Sequence, residues 1–318
     1  MKRIALVISV VLLAAVSLFA EVERGISVVP VTIRLSPDES SGKLASMERG
    51  HEVVVLDRSR GWIKVEAEVT GTPMFLRNDD TPGGRTVTGW MQDKGIIRPN
   101  TPNGDRIVFG EAADSEHEAS RRRGRRGAAD EAMRLYALLA EFMPDSPLAG
   151  EALYRAGDIQ WQIQKAQLQQ RPSSRERDPG MREQLDESIM KKVIKKYSGT
   201  KWADLAAFTL IDNKVCGDWQ AEAKCPEKES DIYEKYAAEH TQSPAAPEAL
   251  YNAAWRQAAL IDIYKSDSNQ SKAENAKKRA TALCQRIMSQ YGSNVDWSTK
   301  AQKLLYVVEQ GIPTFGNQ

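Results

Sequence analysis

SPLAGEALYRA, residues 146–156, recurs 97 positions later as SPAAPEALYNA, residues 243–253, identical at eight of eleven positions. The agreement extends upstream, where Tyr136 and Ala140 align with Tyr233 and Ala237. Each copy has the composition of a helix start, with Ser as N-cap, Pro at the first helical position and Glu in the next turn. Ala149, Ala152, Leu153 and Ala156 then fall at i, i+3, i+4 and i+7, one apolar helical face. The second copy repeats it with Ala246, Ala249 and Leu250. Small residues at this spacing let a partner helix approach closely, so both alanine pairs, with Leu153, Tyr154 and Tyr251, are expected packing positions. Nothing in the motif is a catalytic group, and it therefore speaks for architecture.

Outward from this motif, the chain from residue 128 to 311 reads as helical. Ala132, Leu135, Tyr136, Leu139 and Phe142 form one face ahead of the first copy. A polar break at residues 171–180 follows. Next comes a degenerate unit with Ile189, Val193, Ile194 and Tyr197, then Trp202, Ala203, Ala206 and Leu210. The second clear copy spans residues 232–260, and a last unit carries Leu283, Ile287 and Tyr291, then Trp297, Ala301, Leu304 and Val308. Phe142, Tyr197, His240 and Tyr291 precede the turns, giving steps of 55, 43 and 51 residues. Four helix–turn–helix units in series are the pattern of an α-solenoid. The run from Phe142 to Asp158 resembles tetratricopeptide repeats of bacterial envelope proteins, such as the Tol–Pal-associated cell-division coordinator and the repeat lipoproteins of outer-membrane assembly. The resemblance implies a tetratricopeptide-like array that holds a protein partner. The steps exceed the usual ~34 residues, which favours a looser bundle over regular repeat geometry.

Residues 21–98 read as β structure. Val31 to Leu35 alternates, Ser36 to Glu39 turns, His51 to Leu56 follows Gly50, and Trp62 to Val65 follows the Ser59-Arg60-Gly61 turn. Gly89-Trp90-Met91 and Ile96-Ile97 close the segment. This order resembles the bacterial SH3-like domain, which implies a small all-β barrel. The departure is residues 66–88, a Gly-, Pro- and Thr-rich excursion expected as a surface loop. Trp62 and Trp90 belong to the SH3-like pattern, which implies either a groove for cell-wall peptide or a protein ligand, or packing in the core.

The remaining segments bear on compartment and partners. Lys2 and Arg3 precede an apolar run from Ile4 to Ala20, the layout of a secretory signal peptide ending at residue 20. An uncleaved single anchor is the alternative. Removing Lys2 and Arg3 takes the formal charge from +1 to −1. With no cysteine near the run, acylation of a cysteine is excluded. In an oxidising compartment Cys216 and Cys225 are the natural disulfide pair across a short polar loop, against the alternative of two reduced thiols. Cys284 falls on an apolar helical face and reads as a buried small hydrophobe. Residues 99–127 read as a linker ending in Arg121, Arg122, Arg123, Arg125 and Arg126. These arginines fit a solvated segment paired with the preceding acids, or a weak contact with an anionic surface. Nucleic acid is not an expected partner of an exported chain. Residues 312–318 read as a tail.

Three histidines, His51, His117 and His240, lie apart, and no Cys–His, HExxH or Gly-x-Ser-x-Gly pattern occurs. No catalytic residue, cofactor or metal is expected. The sequence reads as an exported, non-enzymatic scaffold of the cell envelope. An envelope-assembly or trafficking subunit with a purely structural barrel is the alternative, and a cell-wall hydrolase comes third.

Overall fold

The computed structural model describes residues 23–70 and 84–315. An antiparallel β region comes first and an array of helices follows. The strands are β1 (Arg24–Ser27), β2 (Val31–Arg34), β3 (Lys43–Met47), β4 (Glu52–Ser59), β5 (Trp62–Glu68), β6 (Thr86–Gln92) and β7 (Ile96–Ile97). They form one sheet in the order β3-β2-β6-β5-β4-β1-β7. In β5 the alternation settles the faces. Ile63, Val65 and Ala67 enter the core with Ile33, Met47, Val53 and Met91, whereas Trp62, Lys64 and Glu66 point away. The β4–β5 turn places Arg60 and Gly61 at φ 45° and 84°, two left-handed residues whose twist suits a tight hairpin.

Two strands, β1 and β3, were not expected. In β1 a Gly and a Ser interrupt the hydrophobic signal, yet Ile26 is fully buried. The excursion is also shorter than residues 66–88, because Glu66, Ala67 and Glu68 pair with Thr88, Val87 and Thr86. Residues 71–83, which carry most of it, lie outside the described residues, as do residues 1–22 of the expected signal segment.

Residues 99–127 are not a linker. They contain α1 (Gly104–Ser120), entered through a turn in which Arg98 N–H donates to Thr101 Oγ1 at 2.8 Å. Only Val108, Ala112, Gly104 and Ser115 are buried on α1, a stripe too thin to announce a helix in sequence. Tertiary packing supplies the rest: α1 lies against α2 (Ala128–Phe142), and Val108 and Ala112 share a core with Ile26, Val28 and Ile97 of the β region. The β and helical parts are thus joined through a common core.

The following helices are α3 (Ala149–Leu168), α4 (Ser188–Lys196), α5 (Lys201–Thr209), α6 (Lys224–Glu239), α7 (Ala246–Ser266), α8 (Gln270–Gln290) and α9 (Val295–Glu309). They form the hairpins α2–α3, α4–α5, α6–α7 and α8–α9. Each repeated motif begins its helix two residues later than expected. Ser146 Oγ accepts Leu148 N–H at 3.1 Å, and Ser243 Oγ accepts Ala245 N–H at 3.2 Å. The serine-proline pairs thus form tight turns ahead of α3 and α7, and the helices start at Ala149 and Ala246.

The motif faces inward. Ala149, Ala152, Ala246, Ala249 and Leu250 have no exposed surface, and Leu153 almost none. Tyr154 stacks on Trp202 with ring centroids 5.6 Å apart, and Tyr251 meets Trp297 at 5.5 Å. A lysine covers each tryptophan, Lys201 on Trp202 and Lys300 on Trp297. The duplication therefore embraces four helices, α2–α5 corresponding to α6–α9, each set with an apolar core of its own and Leu205 and Phe208 of α5 packing against the second. Among the described residues no helix is long and apolar enough to cross a membrane.

Candidate functional site

On the β region, neither Trp62 nor Trp90 belongs to the core; both are half-buried on the outer face of the sheet. Trp90 pairs with Lys64 of β5 on one side and Arg34 of β2 on the other. Trp62 pairs with Gln92, one diagonal step away, and lines a shallow groove of about 380 Å³ with Pro30, Thr32, Arg34 and Gln92. Trp90 is not part of that lining. The expected two-tryptophan groove is therefore reduced to Trp62.

A buried carboxylate ties the β region to the helices. Glu131 on α2 is 3% exposed at its side chain and pairs with Arg49 of the β3–β4 connection at 2.8 Å. It also pairs with Arg125 and accepts Ser115 Oγ of α1 at 3.1 Å. Burial pushes its carboxyl up, but the two guanidinium hydrogen bonds outweigh this and hold it below the ordinary range. Beside it, Gly50 has φ +77°, and a Cβ there would stand 3.1 Å from Leu135 and 3.4 Å from Glu131 O, so no side chain fits comfortably. The arginine run is partly absorbed in this junction: Arg125 meets Glu131, and Arg121 pairs with Glu118. Arg122, Arg123 and Arg126 are exposed, with no ion pair among the described residues.

Cys216 and Cys225 are joined in a disulfide. The loop between them is not wholly polar, because Trp219 is buried against Trp255 and Phe315. Glu229, 1% exposed, accepts Cys216 N–H at 2.8 Å, Trp219 Nε1–H at 3.1 Å and Arg256 Nε–H at 2.7 Å. Asp262 accepts the backbone N–H groups of Thr314 and Phe315, fastening the expected tail to α7. Cys284 is buried on α8, and burial pushes its thiol up to about 12.

The histidines are separate. His51 is buried near Arg134, His117 is on α1, and His240 Nδ1 meets Asp204 at 2.7 Å at the end of α6. Ser243 is close by, but its hydroxyl is shared with Tyr236 OH at 2.6 Å and Ala245 N–H. The arrangement closes a turn; it does not present a nucleophile. Among the described residues no group of three or more His, Cys, Asp or Glu is placed to hold a metal ion.

The concave feature that sequence reasoning missed lies where the two four-helix sets meet. An open groove of about 460 Å³ is lined by Tyr154, Asp158 and Trp161 of α3, Phe208 of α5, Tyr233 of α6 and Glu248 of α7. Asp212 at its rim is satisfied, accepting Trp161 Nε1–H at 3.1 Å and Lys165 Nζ at 2.8 Å. Burial pushes the Tyr154 and Tyr233 hydroxyls up to about 12 and raises the Asp158 and Glu248 carboxyls. One signal was legible. Glu151 and Glu248 occupy equivalent positions, but Arg155 of the first copy is replaced by Asn252 in the second. No protein-family model and no curated protein matches this chain.

Proposed function

We propose that the protein is an exported, non-enzymatic binding scaffold of a bacterial cell envelope, its β region an SH3-like barrel and its helices a tetratricopeptide-like array. The observation that carries the reading is the open aromatic groove at the junction of the two helical sets, a concave surface suited to a segment of another protein. The Cys216–Cys225 disulfide supports an oxidising compartment. Trp62, exposed in part beside its shallow groove, supports a second contact point for cell-wall peptide.

A photo-reactive residue at Phe208, introduced into the full chain and irradiated in the native envelope, should give discrete protein adducts. None at that position would refute the array's role. For the barrel, Trp62→Ala in the full chain should reduce co-sedimentation with peptidoglycan; sedimentation equal to that of the parent removes the cell-wall arm. The full chain is needed because Ile26, Val28 and Ile97 are part of the helical core. The alternative, an envelope-assembly or trafficking subunit with a structural barrel, is favoured by the Arg49–Glu131 clamp. In that case Trp62→Ala leaves the Phe208 adducts unchanged.

A further inference from the structure

We propose that the groove between the two helical sets takes a cationic side chain, lysine or arginine, from an extended segment of a partner protein. The inference rests on the scaffold reading and goes further by naming what is recognised. It starts from the divergence of the duplicated helix. In the first copy Glu151 is neutralised one turn later by Arg155, at 2.9 Å. In the second copy Asn252 stands in the arginine's place, and Glu248 makes no hydrogen bond or ion pair among the described residues. Both copies carry the carboxylate, and only the first carries this counter-ion.

A second carboxylate faces the same groove from α3. Asp158 has only the Gln162 amide, at a marginal 3.5 Å. Both carboxyls are raised by burial, and the cations that pull the other way, Arg155 for Asp158 and Lys300 for Glu248, act at a distance and do not offset it. A protein does not gain stability from such a pair; a cation arriving from outside would relieve it. Asp212 and Lys165 already satisfy each other, which leaves Asp158 and Glu248 as the groove carboxylates without a salt bridge among the described residues. The walls suit the apolar stem of such a side chain, since the half-buried rings of Tyr154 and Phe208 line the groove, whereas the Tyr233 ring is already covered by the Arg256 guanidinium, 4.5 Å from its centroid. The groove is open to solvent, which suits a side chain carried on a polypeptide.

The test is an overlay of the full chain on an array of random dodecapeptides, repeated with every lysine acetylated and every arginine replaced by citrulline. Retention should concentrate on peptides with a basic residue among apolar neighbours and fall about tenfold or more when the charge is removed. Asp158→Asn with Glu248→Gln should abolish the preference while raising Tm, because two dehydrated charges are gone. The rise in Tm separates lost recognition from lost folding. A basic preference that survives the double substitution overturns the inference, because the cation then binds elsewhere. Retention without basic preference, lost on Phe208→Ala, overturns the cation and leaves the scaffold reading standing. Absence of any retention, with no Phe208 adducts, overturns both.

Discussion

Acidification should loosen the junction between the β region and the helices, and His51 is the group responsible. The residue is 7% exposed, and its backbone is locked to Ser27, whose N–H donates to His51 O at 2.9 Å. Burial, and next the positive Arg134 beside it, push the imidazole from 6.5 down to about 4, with Glu131 pulling weakly the other way. Between those two values the unfolded chain holds a proton that the folded chain refuses. Stability is therefore complete above the unfolded value and is lost as pH falls from about 6.5 towards 4. Linkage gives a loss relative to neutral pH of about 2 kcal/mol at pH ~5 and about 3 kcal/mol at pH ~4. Against a total stability on the order of 5–15 kcal/mol, that is readily measured. Urea unfolding of the parent and of His51→Gln, followed between pH ~7 and ~4, should show a steep decline in the parent and a flatter one in the variant. The other titrating groups are common to both proteins and cancel in the difference. Equal slopes would refute the assignment, and so would an NMR titration placing the His51 imidazole near 6.5.

Other consequences follow from the packing. Glu131→Gln leaves Arg125 without its charge partner and Arg49 with Glu111 alone, and should cost about 1–3 kcal/mol in urea unfolding; a loss below about 0.5 kcal/mol would show the clamp to be idle. Ala152→Leu and Ala249→Leu, at positions with no exposed surface, should each lower stability by about 1–3 kcal/mol through overpacking, read as a drop in Tm. Non-reducing peptide mapping should recover Cys216 joined to Cys225. Cys216→Ser should remove about 2–3 kcal/mol and red-shift tryptophan emission as Trp219 is released.

What was legible in the sequence follows physical lines. The faces of the repeated helix, and the alternation in β5, were readable because one side of each element is buried and periodicity reports that directly. Helix α1 was not, because its inward stripe rests on Val108 and Ala112, and what holds it is the surface of α2 and the sheet. Strand β1 was hidden for the same reason, since Gly25 and Ser27 carry no hydrophobic signal and their place is set by pairing with β4 and β7. The tryptophans of the β region were found but not their environment. Register puts both on the outer face, and only the neighbouring β2 connection gives Trp62 a groove. The junction groove draws on residues from Tyr154 to Asn252, a separation across which periodicity does not reach, so only the divergence at Asn252 hinted at it.

Within the duplication, agreement and disagreement carry different information. Positions that agree, Ala149 with Ala246 and Tyr154 with Tyr251, are packing contacts that any such helix needs. Arg155 against Asn252 is a disagreement with consequences on both sides, since Arg155 meets Glu151, Glu116 of α1 and the Phe109 and Tyr136 rings, while Asn252 lines the groove. Asn252→Arg would restore the first copy's pattern, with glutamate one turn ahead of arginine, the favourable order for a helical ion pair. The pair should form, bring the Glu248 carboxyl down towards the ordinary range, and add about 0.3–0.5 kcal/mol of stability. It should also place a resident guanidinium where a visiting one is expected, so that retention of basic peptides falls while the fold stays intact. If Asn252→Arg binds basic peptides as the parent does, Glu248 is not the group that receives them, and the divergence of the two copies has no bearing on recognition.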